Sequence, residues 1–183
     1  MFSIRDSVFE TNSSSTHAIS FLKDIKNDTV PNFIRFYLGE YGWNDGWVDP
    51  ASYLYTAIVC TSDTPDIARE RIDTLKKILD KNNIKYTFED IRWKSYSAEE
   101  YYVRYAGIDH EDECSEFVHR MLTDEDALIR YLTSGRVYCT NDNIDHEIDD
   151  PLNYGYKEIY TYDDKLVKNP YFDDKYEYYY KGN

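Results

Sequence analysis

The sequence is poor in the features that mark secreted, membrane-spanning or duplex-binding chains. It has three cysteines, Cys60, Cys114 and Cys139, and they are widely spaced. An odd count without a framework pattern predicts reduced thiols in a cytosol, not disulfide staples. No apolar run reaches the roughly 18 residues that a membrane helix needs. The first residues, MFSIRDSVFE, lack a basic region and a long apolar stretch, which argues against a signal peptide. Basic charge is scarce: 21 Lys and Arg stand against 35 Asp and Glu, a net charge of -14. Such a field repels phosphate backbones, and direct duplex binding needs clustered cations. The densest group lies from Thr64 to Lys85, where Arg69, Arg71, Lys76, Lys77, Lys81 and Lys85 are interleaved with Asp66, Glu70, Asp73 and Asp80. That mixture reads as a solvated helix face. Glycine is sparse, and Gly39, Gly42 and Gly46 are not followed by the lysine of a phosphate-binding loop.

What the chain has in excess is tyrosine, 20 residues of 183. Each ring supplies apolar area, and each hydroxyl wants a partner. A core with many tyrosines at its edge is therefore expected. The length suits one domain. Residues 1–170 are expected to form a single α+β domain, and residues 171–183 an acidic, tyrosine-rich C-terminal strand or tail.

Local patterns predict the elements. Phe2 to Arg5 and His17 to Leu22 read as short strands, the second by its alternation. Phe33 to Leu38 fits a short helix or a strand, and Gly39 to Asp49, with Trp43 and Trp47, reads as a loop. Asp49-Pro50 opens a helix to about Cys60, since an acidic cap followed by proline is a start signal. Thr64-Pro65 opens the clearest helix. Ile67, Ala68, Ile72, Leu75, Ile78 and Leu79 give it one apolar face, and Asn82-Asn83 ends it. Ile84 to Phe88 follows as a strand. Glu111 to Leu122 is expected to be helical. Thr123 then caps a further helix to Ser134, with Gly135 as its C-terminal cap. Val137 to Thr140 and Tyr156 to Tyr162 complete the strands. The sum is an α+β fold, with helices packed on a mixed or antiparallel sheet.

Three clusters carry candidate chemistry. The first is the polar run Glu10, Thr11, Asn12, Ser13, Ser14, Ser15, followed after Thr16 by His17. Side chains of this kind hold tight turns by bonding to nearby backbone. Read functionally, the same hydroxyls and amides form an anion-binding nest, or a serine acts as a nucleophile with His17 as base. Ser15 and His17 share one side of a strand, but such neighbours stand roughly 7 Å apart, beyond hydrogen-bond contact. Asn141, Asp142 and Asn143 close a predicted strand and are candidates to meet this turn at the sheet edge.

The second cluster is His110, Cys114 and His119. Nine residues put the two histidines on opposite faces of one helix, so no metal site is expected. The third is the acidic and tyrosine surface. Glu111, Asp112, Glu113, Glu116, Asp149, Asp150, Asp173, Asp174, Glu177, Tyr178 and Tyr179 are candidates to contact a basic partner.

The stretch Val8-Phe9-Glu10-Thr11-Asn12-Ser13-Ser14-Ser15-Thr16-His17 resembles the N-terminal signature of a family of small phage and Firmicutes mobile-element proteins. Arg130-Tyr131-Leu132 followed by Thr140-Asn141-Asp142-Asn143 resembles it more weakly, and the family carries a glycine near the position of Asn141. The likeness covers about a third of the chain. It implies an origin among small acidic phage proteins, which include anti-CRISPR inhibitors of the Cas9 nuclease. It transfers no catalytic or binding residue. The expectation is a non-enzymatic, cofactor-free cytoplasmic inhibitor of a basic, nucleic-acid-handling host protein, with a Cas9–guide RNA complex as the specific candidate. No direct nucleic-acid or membrane contact is expected, and a homodimer is compatible with the role. The alternatives are a small enzyme or anion-binding protein using Thr11 to His17, and a phage structural or assembly component.

Overall fold

Asp49-Pro50 does open a helix. The Asp49 carboxylate accepts a hydrogen bond from the Ser52 amide (2.8 Å), and Pro50 occupies the first turn, where its missing N–H costs nothing. Helix α1 runs Pro50–Cys60, and every residue from Pro50 to Val59 is buried. A mostly apolar helix buried on every side is a core element, and its Ser52 and Thr56 hydroxyls are buried with it. The structure, a computed structural model, describes residues 17–22, 31–42, 46–97, 100–103, 106–108, 114–134, 137–139, 158–160, 165–168, 170 and 176–181. The predicted strand Phe2 to Arg5 lies outside them.

Helix α2 (Pro65–Lys81) is capped by the Thr64 hydroxyl, which accepts from the Ile67 amide (3.3 Å). Its apolar stripe, Ala68, Ile72, Leu75 and Leu79, is buried. The helix ends at Asn82, and Asn83 takes a left-handed φ of 58°, which asparagine tolerates better than most residues. The Ile84 amide still donates to Leu79 O (3.0 Å), so the following strand starts one residue later than expected.

The second helical pair differs from expectation in its boundaries. Helix α3 is Ser115–Thr123, with buried Cys114 at its N-cap position, and Glu111 to Glu113 lie outside the described residues. Helix α4 is Glu125–Thr133. Its cap is Asp124, not Thr123: the Asp124 carboxylate accepts from the Ala127 amide (3.0 Å), and Asp124 has the extended backbone of a cap. The Thr123 hydroxyl instead donates backwards to His119 O (2.8 Å), which keeps Thr123 in the last turn of α3. Ser134 is the C-cap of α4, and Gly135 lies outside the described residues.

The strands divide among several small sheets. Strand β1 (His17–Leu22) is central in a four-stranded antiparallel sheet with β12 (Tyr176–Lys181), β9 (Val137–Cys139) and β4 (Gly46–Val48), in the order β12-β1-β9-β4. The tyrosine-rich C-terminal stretch is thus a strand over 176–181. Strand β2 (Phe33–Phe36) pairs in parallel with β5 (Lys85–Phe88), which settles the ambiguous 33–38 segment as extended. Part of the expected loop is strand as well, since β3 (Glu40–Tyr41) pairs in parallel with β8 (Gly107–Ile108). Gly39 sits before it under the Tyr41 ring, where an added Cβ would lie 2.7 Å from the tyrosine hydroxyl. A bulged hairpin, β6 (Trp93–Ser97) with β7 (Glu100–Val103), was not anticipated by the pattern reading. Strand β10 (Glu158–Tyr160) lies inside the predicted 156–162 segment and pairs with β11 (Leu166–Lys168). The fold class is α+β, with antiparallel and parallel pairs both present.

The core is less like the expected tyrosine-edged one. Tyr53, Tyr55 and Tyr131 are among its largest fully buried side chains. Burial is affordable where hydroxyls find partners. Tyr55 donates to Glu89 O (2.6 Å), and the Tyr53 hydroxyl lies 3.7 Å from Cys114 Sγ. Edge-on ring contacts link Phe117 to Tyr53 and to Tyr131.

Candidate functional site

Two regions of the described structure bear on function. The first is one end of the four-stranded sheet. His17 stands opposite Lys181, and Ile19 opposite Cys139. Because β1 and β9 are antiparallel, the first residue of β1 and the last of β9 lie at the same sheet end, joined there by Gly46, also opposite Cys139. The residues that precede β1 and those that follow β9 in sequence therefore leave from this same sheet end. Glu10, Thr11, Asn12, Ser13, Ser14, Ser15, Asn141, Asp142 and Asn143 themselves lie outside the described residues.

Of the acidic candidates, Glu116 is exposed in the first turn of α3. Glu177, Tyr178 and Tyr179 occupy register positions opposite Phe21, Ser20 and Ile19. Asp112, Asp149, Asp150, Asp173 and Asp174 lie outside the described residues, as do Glu111 and Glu113. Beyond the far end of α3, Asp124, Glu125 and Asp126 gather at the start of α4, where negative charge suits the positive helix end. Glu125 is also held by Lys81 Nζ (2.6 Å) and Asn82 Nδ2 (2.9 Å), and the Lys81 contact keeps its carboxyl below the usual glutamate range. Of the suggested metal candidates, Cys114 is buried against Tyr53 and His119 is exposed, so the two do not share an environment. His110 lies outside the described residues, among which no group of three or more metal-binding side chains occurs.

The second region was not singled out in the sequence. An open cleft of about 420 Å³ runs along β2, lined by Phe33, Arg35 and Tyr37 on one side and Asp49, Ser52 and Leu132 on the other. Phe33 is 45% exposed and Tyr37 51%. The Arg35 guanidinium lies over the Phe33 ring, 5.5 Å from its centroid. Ile34 is buried and also lines the cleft, and Phe36 lies in the core, stacking on Phe88 (4.5 Å). The alternation of Phe33, Arg35 and Tyr37 was the available signal. It was hidden because a six-residue apolar segment fits helix and strand equally well.

Burial sets the protonation of the nearby tyrosines. It pushes Tyr41 up to about 12, with the Asp49 charge adding to the effect. Tyr53, Tyr55 and Tyr131 are raised as well, mainly by loss of water around the phenolate. These rings are neutral hydrogen-bonding groups, not bases, near neutral pH. Compared with known protein families, with curated proteins and with solved structures, the chain matches none of them.

Proposed function

We propose that this is a binding protein whose acidic half docks on a basic surface of a nucleic-acid-handling partner and inhibits it. The observation that carries the reading is the uneven charge. Residues 109–183 hold 19 acidic and 8 basic residues, a net -11, whereas residues 1–108 hold 16 and 13, a net -3. A field concentrated on one part of the chain steers association with an oppositely charged face, such as the groove that a nucleic-acid enzyme uses for phosphates. Exposed Glu116 and the acidic start of α4 belong to that half. The resemblance at residues 8–17 supplies the specific candidate, a guide-loaded Cas9 nuclease in a host cytosol.

The test is capture of the guide-loaded nuclease by the immobilised protein, together with a DNA-cleavage assay. Binding at low salt with loss of cleavage is expected. Replacing Glu111, Asp112, Glu113 and Glu116 by lysine is expected to weaken both. Absence of capture at low salt, with cleavage unaffected, would remove this partner. Failure of the lysine variant to change the affinity would remove the acidic face.

One observation favours a second reading, a small-anion site. The register of β1 and β9 puts the flanks of both polar segments at one sheet end. Titration with inorganic phosphate, read at the His17 ring by NMR, discriminates. Shifts that vanish in a Ser13, Ser14, Ser15 triple alanine variant would support the anion site, and unshifted spectra would dismiss it.

A further inference from the structure

The cleft along β2 has an unusual main-chain lining. In a parallel pair, alternate residues of a strand bond to the neighbour and the others face away. The Lys85 amide donates to Asn32 O (3.2 Å) and the Glu89 amide to Phe36 O (2.9 Å). The even-numbered residues of β2 therefore serve β5, and the N–H and C=O of Phe33 and Arg35 face the opposite edge. Further along that edge the chain meets α1. There the Tyr37 amide donates to Ser52 Oγ (3.4 Å) and the Gly39 amide to Thr56 Oγ1 (3.1 Å). Two helix hydroxyls thus close the edge at 37 and 39. At Phe33 and Arg35 no such partner is present among the described residues, and this is where the cleft opens.

The side chains above this open edge have a defined character. Arg35 makes no ion pair among the described residues and is exposed over the Phe33 ring. Register places Lys85 opposite Phe33 and Thr87 opposite Arg35, and both are exposed on the same face. Neither nearby carboxylate pairs with Arg35: Asp49, across the cleft, accepts from the Ser52 amide, and Glu89 accepts from the Leu38 amide (2.9 Å). A cationic, aromatic strip in a chain of net charge -14 is a local reversal. Arg and Tyr are also the residues enriched at binding hot spots.

We propose that the Phe33–Arg35 edge receives an extended, acid-bearing peptide of a protein partner as a third strand. Four main-chain groups, the N–H and C=O of Phe33 and of Arg35, carry the ladder. A carboxylate on the added strand opposite Arg35 meets the guanidinium, in the cross-strand position where opposite charges stabilise. Single-stranded nucleic acid is the less fitting occupant, since a phosphate chain has no alternating donors and acceptors to match a strand edge. This contact is separate from the acidic half and stands or falls without it.

The probe is a fluorescent octapeptide of alternating valine and glutamate, read by anisotropy and by nitrogen-15 amide shifts of the full chain. The Phe33 and Arg35 amides are expected to shift, and those of Ile34 and Phe36 much less. The lysine counterpart of the peptide is expected to bind on the order of tenfold more weakly, as loss of a charge-assisted bond implies. Arg35→Glu and the gentler Arg35→Gln should weaken the glutamate peptide in that order, with unchanged circular dichroism. A backbone N-methylated glutamate peptide should not bind. Equal binding of the two charge forms, retained binding of the N-methylated peptide, or unmoved Phe33 and Arg35 amides would each overturn the proposal. So would an oligothymidylate that shifts these amides in the peptide's place.

Discussion

At the scale of single residues, this protein relies on short polar side chains to finish its helices. Asp49, Thr64 and Asp124 each accept an amide of the first turn. Asp124→Ala is expected to cost about 1 kcal/mol of stability, and Thr123→Ala under about 0.5 kcal/mol, because Thr123 caps nothing. Urea denaturation of the two variants checks the pair, and a larger effect at Thr123 would contradict the cap assignment. The buried tyrosines make a second residue-scale prediction. Their pKa values are raised in the folded state, Tyr41 to about 12, and return to about 10 on unfolding. The unfolded chain therefore releases these protons first as pH rises. The stability they contribute is whole below about pH 10 and is lost as pH climbs through the folded values. Tyrosinate absorbance should rise early for exposed rings. The last rings, Tyr41, Tyr53, Tyr55 and Tyr131, should ionise together with loss of far-ultraviolet dichroism.

At the scale of elements, α1 is the centre and α2 a one-sided cover. Leu75 and Leu79 are fully buried on the inner face of α2, while Lys77 is exposed. Leu75→Ala is expected to destabilise by about 2–5 kcal/mol and Lys77→Ala by less than about 0.5 kcal/mol, measured by chemical denaturation. The edge of β2 gives a test without any variant. In hydrogen exchange, Ile34 and Phe36 should be protected by the β5 ladder and Phe33 and Arg35 should exchange quickly. Equal protection at all four amides would mean that the edge is not open.

At the scale of the whole molecule, charge acts in two directions. A net charge of -14 repels itself, so the folded chain gains from screening. Association with a basic partner is weakened by the same screening. Raising salt from low to high is thus expected to increase the melting temperature of the isolated protein. The same change should slow association with its partner, by about tenfold or more. Thermal melts and stopped-flow association across one salt series measure both. Salt-independent association would remove the acidic half as the steering surface.

What the sequence determines by itself is local. The starts of α1 and α2, the buried stripe of α2, the strand after it and the extended nature of β1 were all legible. Each rests on caps, proline position or side-chain period within a few residues. The uneven acidity was legible too, since charge is counted and not folded. Tertiary structure decided the rest. The cap of α4 moved from Thr123 to Asp124 because the backbone geometry, not the hydroxyl-first motif, chose the acceptor. Tyr55 and Tyr53 became core because Glu89 O and Cys114 were brought to them from 34 and 61 residues away, and Tyr131 packs edge-on against Phe117. The parallel pairing of β2 with β5 spans the whole of α1 and α2, and no local pattern specifies it. That pairing, with the hydroxyls of Ser52 and Thr56 closing half of the free edge, leaves Phe33 and Arg35 open. A strand's sequence tells which faces its side chains take, but which of its edges stays free is set by what packs beside it.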